Sequence, residues 1–450
     1  MPLLIISIGI IILILLIMLL KLNTFVSLII SSVIVAILLG MPLDKIIESV
    51  ETGLGGTLGH IALIFGMGGM LGKLIADAGG AHQIAHTLID KFGKKRIQWA
   101  ILIASFIVGI ALFLEVAIVL LIPIIISIAK ELKISIVKLG LPMVTAALAT
   151  HAFLPPHPGP IAVAAEYGAN IGLVLVYGII VAIPTVIISG IFYPKLAQQI
   201  VPSAFSEEQL NRSSFANMKE ANINNMPSFG VSLFTALFPV ILMSIGAIVD
   251  ILQKQLGFSN SIGISVIKLL TNSSTAMLLS LLLAIYTMGI RQNIGVKKIG
   301  ESCTEAINSL GMLLLVIGGG GALKQVIIDG GVGKYIGELF QNSNLSPILF
   351  AWLVAAILRL ALGSGTVATL TAAGLVLPAL SGTPGVNLEL VTLATGAGSA
   401  IGSHVNDAGF WMVKESLGMT LKEAFGTYTV LSTLVAVCGL IFTLIFSIFV

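Results

Sequence analysis

Between Leu139 and Gly168 an apolar stretch long enough to cross a bilayer is interrupted by THAFLPPHPGP, Thr150 to Pro160. Proline lacks a backbone N–H and its ring clashes with the preceding turn. Pro155, Pro156, Pro158 and Pro160 therefore cannot lie inside one continuous helix. Hydrocarbon offers no partner to the carbonyls this frees, so broken backbone at membrane depth must face protein or a wet cavity. The segment predicts a broken helix that lines a binding site.

Composition places that helix in a membrane. Of 450 residues 57% are hydrophobic and 10% charged, with mean hydropathy +1.10, where a soluble domain carries about 25% charged residues. Many apolar runs exceed the roughly 18 residues that suffice to span hydrocarbon. The expected fold is an all-α polytopic membrane protein surrounded by lipid, with no nucleic-acid partner. The net charge of +3 is uninformative, because the placement of Lys and Arg decides topology. Leu3 to Leu20 lacks a basic leader and a small-residue cleavage site and reads as a retained span. Cys303 and Cys438 are far apart in apolar surroundings and read as inert buried thiols. No metal or other cofactor is expected.

The loop Asp90 to Arg96 (DKFGKKR) is basic, and so is the far end of the apolar run Ile97 to Ala129, at Lys130, Lys133 and Lys138. The positive-inside rule puts both ends in the cytoplasm, and a run whose ends share a side is not one crossing. A re-entrant hairpin with its tip near Phe113 to Glu115 is expected, with one long tilted span as the competing reading. A glycine-rich run, Gly66 to Gly72, suits close helix packing. Residues 200–228 are polar, with few large apolar side chains, and read as a cytoplasmic linker between 1–199 and 229–450.

Those two halves read as copies. Gly66 with Gly318, and Asp77 with Asp329, are each 252 positions apart; His151 and His404 are 253 apart. Near the same offset Glu115 falls close to Thr366. The counterpart of the basic DKFGKKR loop, Gly337 to Ser346, carries no basic residue, and the acidic segment after the second span corresponds to a basic loop holding Arg291, Lys297 and Lys298. Opposite charge bias in equivalent loops puts them on opposite sides of the membrane. The expectation is two inverted-topology repeats with re-entrant hairpins and broken helices, the plan of many secondary transporters.

Four interruptions then converge: Glu115 and GSGT (Gly363, Ser364, Gly365, Thr366) at hairpin tips, and THAFLPPHPGP and SHVNDAGFW (Ser403 to Trp411) in broken spans. Ionisable groups in a span are costly without a cavity or partner, which makes them functional candidates. His151 and His157 can donate, accept or change charge near neutral pH; a structural kink around a satisfied histidine is the plainer alternative. Zinc ligation by His151, His157 and His404 has no supporting spacing. Ser364 or Thr366 can cap the helix after GSGT, whose N-terminus suits a carboxylate. Arg359 adds positive charge there, or pairs with an acid, or snorkels. Ser403, His404 and Asn406 are candidate ligand-binding groups, and Glu115 and Asp407 candidate proton carriers; the dull reading of Asn406 and Asp407 is a helix cap. Glu166 is placed near the outer surface and left out of the site.

HAFLPPHPGP (His151 to Pro160), GSGTVATLTAAG (Gly363 to Gly374) and GSHVNDAGFWMVKE (Gly402 to Glu415) resemble the gluconate permease family of proton-coupled sugar-acid symporters. The resemblance covers the whole chain, the linker least clearly. It implies a carrier of the cytoplasmic membrane, within the wider ion-transporter fold, that imports gluconate or a related sugar acid with a proton. Relatives taking other hydroxy acids or D-serine keep the exact substrate open. Other readings are a sodium-coupled carrier of small organic anions, a channel, and an intramembrane enzyme; no nucleophile elbow or zinc motif supports the last. A homodimer is an expectation of the wider fold alone.

Overall fold

The structure is a computed structural model describing residues 2–206, 209, 212–213, 226–256, 261–331, 345–380, 385–404 and 407–450. Every regular element among them is helical. Two apolar helices lead, α1 (Pro2–Met18) and α2 (Thr24–Leu38), and Asn23 caps the second by accepting from the Phe25 N–H at 2.9 Å. The polar segment that follows is the opening of a long helix, α3 (Leu43–Asp77), bent by 42° between Leu43–Gly59 and Ala62–Asp77. The glycines from Gly66 to Gly72 stay helical and serve packing.

Next come α4 (Gly80–Phe92), α5 (Ile97–Ala111) and α6 (Leu114–Leu132). A straight helix over Ile97 to Ala129 would be about 50 Å long at 1.5 Å per residue. Instead its two ends meet: Lys94 Nζ lies 3.2 Å from Glu131 Oε1, and Gln98 donates to the Lys138 carbonyl at 3.0 Å. The run is a hairpin turned at Leu112 and Phe113, so the single tilted span is excluded. Then α7 (Ile136–Phe153) and α8 (Pro158–Tyr167) flank the break at residues 154–157. Pro158 and Pro160 sit in the first turn of α8, where no intrahelical N–H is needed. A longer span follows, α9 (Ile171–Ile187) and α10 (Tyr193–Ile200) joined by a π-helical turn, Ile188–Phe192.

Most of the 200–228 linker, and the 332–344 stretch that carried part of the sidedness expectation, lie outside the described residues. Of the linker, Ser213 donates to the Ser416 carbonyl at 2.6 Å. The second half holds α11 (Phe229–Leu256), α12 (Ile262–Thr271), α13 (Ser273–Ala284) and the 34-residue α14 (Val296–Asp329). It ends with α15 (Pro347–Leu362), α16 (Gly365–Leu380), α17 (Leu388–Gly398), α18 (Ala408–Ser416), the short α19 (Leu421–Ala424) and α20 (Val430–Phe446). Helix α15 packs along α16. Each has 16 residues, about 24 Å, which is short of a roughly 30 Å hydrocarbon core. Six helical stretches among the described residues are long and apolar enough to cross a membrane, seven with the bent α3.

The spine is α3 against α14. The two run antiparallel: Ser49 donates to Asp329 and Ser302 donates to Asp77, both at 2.7 Å. These bonds are reciprocal. The serine near the start of each helix reaches the aspartate that ends the other, as across a two-fold axis. Where the helices cross, a Cβ on Gly53 would stand 2.3 Å from the Gly321 carbonyl, and one on Gly321 would stand 2.5 Å from the Gly53 carbonyl. Only glycine lets the backbones approach so closely.

Candidate functional site

Both hairpin turns are built by satisfying the carbonyls that a broken helix leaves over. At the end of α5 the Gly109 carbonyl meets His157 Nε2 at 2.6 Å. At the end of α15 the Leu360 carbonyl, 251 positions on, meets His404 Nε2 at 3.1 Å. By this role the partner of His404 is His157, whereas the sequence offset matched it with His151. The turn itself differs. Leu112 and Phe113 are extended, while Gly363 takes φ +78°, a left-handed conformation that favours glycine.

The breaks converge on a cavity of about 320 Å³. Leu114, the first residue of α6, lines it, as do Gly159 and Pro160 of α8, Gly365 and Thr366 of α16, and Ala408 and Gly409 of α18. Four helix N-termini therefore open on one space, each the second arm of an interrupted segment. The amides at a helix N-terminus lack intrahelical acceptors and carry about half a unit of positive charge. In α16 the Val367 N–H goes to Ser364 Oγ at 3.4 Å and the Ala368 N–H to the Ser364 carbonyl at 2.9 Å. The amides of Gly365 and Thr366 are left facing no acceptor among the described residues. Ser364 is thus the cap, as expected.

Arg359 supplies the formal charge. It is 4% exposed, lines the cavity, and donates through Nη1 to the Gly363 carbonyl and through Nη2 to Asp407 Oδ2. Its Nε–H has no acceptor among the described residues, and a buried donor without a partner costs about 1–3 kcal/mol. Asp407 also accepts from Ser403 Oγ and, at 2.9 Å, from the Gly409 N–H, which caps α18. Both open readings hold at once: Asp407 is a helix cap, and Arg359 is paired with an acid. Ser403 is buried and turned to Asp407, with its own N–H on Ser432 Oγ at 2.9 Å.

His151 lines the cavity, with the His157 ring 5.2 Å behind it and Phe113 6.2 Å beyond that. His157, Ser403 and His404 stand behind the lining and hold it in place. Asn406 and the side chain of Glu115 lie outside the described residues. Of the carbonyls freed upstream of the prolines, that of Ala152 is closely approached by Gly396 of α17, where a Cβ would stand 2.1 Å away, and that of Phe153 by Gly178 of α9, at 2.9 Å. Residues not singled out from sequence complete the wall, among them Thr369, Ser399 and Tyr428. Thr369 lies in the GSGTVATLTAAG run but was given no role of its own, Ser399 follows the end of α17, and Tyr428 lies in the π-helical turn Phe425–Thr429. No metal-binding cluster occurs among the described residues.

The space suits a small anion. A cavity of this volume is at the low end of small-molecule pockets, roughly 300–1,000 Å³, and its wall offers amides, a guanidinium and hydroxyls. The family model described as GntP family permease matches residues 1–449. Gluconate permeases of Bacillus subtilis and Bacillus licheniformis are 59% and 60% identical to this chain over 450 residues, covering 100% of each chain. The crystal structure of the Alcanivorax borkumensis YdaH transporter superposes with a TM-score of 0.63 at 12% identity, over 94% of this chain and 98% of that one. This chain is a multi-pass membrane transport protein, not an enzyme, and belongs to the GntP family of permeases.

Proposed function

We propose that this permease imports gluconate, or a closely related sugar acid, across the cytoplasmic membrane by proton symport. The observation that carries the reading is the convergence of four helix N-termini and Arg359 on one cavity of about 320 Å³. The names of the close relatives supply the sugar acid. The substrate carboxylate sits between the Gly365 and Thr366 amides and the Arg359 guanidinium. Its hydroxyls meet His151, Thr369 and Ser399. Asp407 positions Arg359 and gives up part of that contact when the substrate arrives.

Charge accounting supports cation coupling. Arg359 and Asp407 are the formal charges among the described lining residues, and they cancel. A bound carboxylate therefore leaves the loaded cavity at −1, and moving one charge against the membrane potential costs about 2.3 kcal/mol per 100 mV. One co-imported proton removes that cost. The reciprocal Ser49–Asp329 and Ser302–Asp77 bonds support two inverted repeats, 1–199 and 229–450, joined by the cytoplasmic linker 200–228. In that arrangement the hairpins and broken helices move as a unit past a scaffold containing α3 and α14. The test is uptake into proteoliposomes under an imposed pH gradient without sodium. Accumulation is expected; absolute dependence on sodium would replace the proton with a sodium ion.

A further inference from the structure

Two of the helices that begin at the cavity lead to one partly buried ion pair. In α8, seven residues separate Gly159 at the cavity from Glu166, about 10 Å along the axis. The Glu166 side chain is 7% exposed, pairs with Lys324 of α14, and accepts from Thr57 Oγ1 of α3 at 2.9 Å. In α16, nine residues separate Gly365 from Gly374, about 14 Å. The Lys324 stem lies on that glycine, its Cβ 3.1 Å from where a Gly374 Cβ would stand. A second cavity, of about 200 Å³, opens on the pair and is lined by Gly53, Gly56 and Thr57 of α3 together with Glu166, Lys324 and Gln325. Glu166 was expected at the outer surface. The structure shows its side chain on the seam between α8 and the α3–α14 spine.

We propose that the Glu166–Lys324 pair is the proton-coupling site of this permease, separate from the cavity that takes the substrate; the inference rests on the proton-symport reading. The carboxylate, 7% exposed, is held ionised by the ammonium, because without that partner its charge would be left uncompensated. A proton from water on one side adds to the Glu166 carboxylate as an O–H. The neutral acid no longer holds the Lys324 ammonium, which the second cavity keeps hydrated, and α8 and α16 are released from α14. Loss of that proton to water on the other side restores the pair. The groups around Glu166 are few. Lys324 and Gln325 face it from α14 and Thr57 from α3. Tyr167 beside it turns to Thr395 of α17 at 3.1 Å, and Glu389 of α17 is held by the Asn170 N–H at 3.0 Å. Of the other candidate carriers, Asp407 is committed to Arg359, Ser403 and the Gly409 amide, and the side chain of Glu115 lies outside the described residues.

The experiment compares gluconate accumulation driven by a pH gradient with gluconate counterflow in proteoliposomes. The ratio of driven uptake to counterflow is expected to fall about tenfold in Glu166→Gln, inside the usual 5–150-fold range of coupling effects, and to survive in Glu166→Asp. If Glu166→Gln does not insert, the double variant Glu166→Gln/Lys324→Gln carries the same expectation, since it leaves no charge unpaired. A wild-type ratio in Glu166→Gln or in the double variant overturns the inference. Gluconate-induced proton uptake by the unaltered protein separates the two levels. Its absence removes the symport reading and this site together, whereas its presence in both the unaltered protein and Glu166→Gln removes the site alone.

Discussion

Replacing Arg359 by glutamine separates what this side chain does for the fold from what it does for the ligand. The residue is 4% exposed, and its guanidinium is held by Asp407 and the Gly363 carbonyl. Removing one member of a buried pair leaves the other charge uncompensated, at a cost of about 3–5 kcal/mol. Arg359→Gln should therefore lower stability by about that much. A hydrogen bond from a charged donor to the substrate is worth about 1.5–3 kcal/mol, and 1.4 kcal/mol is tenfold in affinity. Gluconate binding should weaken by roughly ten- to a hundredfold. Arg359→Gln/Asp407→Asn removes both charges and should recover most of the stability while binding stays weak. Thermal unfolding in detergent reads the first quantity and the counterflow KM the second. A double variant with wild-type KM would refute the carboxylate role of Arg359.

Further consequences follow from particular contacts. His157→Leu removes the partner of the Gly109 carbonyl and should cost about 1–3 kcal/mol of stability, seen as a lowered Tm, with the KM of the folded protein little changed. Gly321→Ala places a methyl 2.5 Å from the Gly53 carbonyl and should destabilise by about 1–3 kcal/mol, again read by Tm; an unchanged Tm would show that α3 and α14 are further apart. Single cysteines at Lys45 and Lys297, near the starts of antiparallel α3 and α14, should label from opposite sides of the membrane. Labelling from the same side would remove the inverted repeat.

The breaks that could be read from sequence are those with a covalent cause. Prolines at 155, 156, 158 and 160 forbid a continuous helix, and α7 and α8 part there. Gly363 and Ser364 similarly mark the turn between α15 and α16. The Leu112–Phe113 turn has no proline or glycine, and only the lysines at both ends of the run revealed the hairpin. What could not be read was pairing across the chain. Arg359 had several open partners until Asp407 was placed beside it. Glu166 has its partner, Lys324, in the other half of the molecule, so neither residue advertises the pair locally. The close approach of Gly396 and Gly178 to the Ala152 and Phe153 carbonyls was also hidden, because those glycines belong to other helices.

The central claim is that the cavity recognises a carboxylate through helix N-termini and Arg359. Its most direct test is competition for gluconate counterflow in proteoliposomes between sugar acids and the uncharged polyol of the same carbon number. Losing a charge-assisted bond of about 1.5–3 kcal/mol should make the polyol roughly ten- to a hundredfold weaker as a competitor, while other six-carbon acids compete near the level of gluconate. A polyol that competes as well as gluconate would contradict the account.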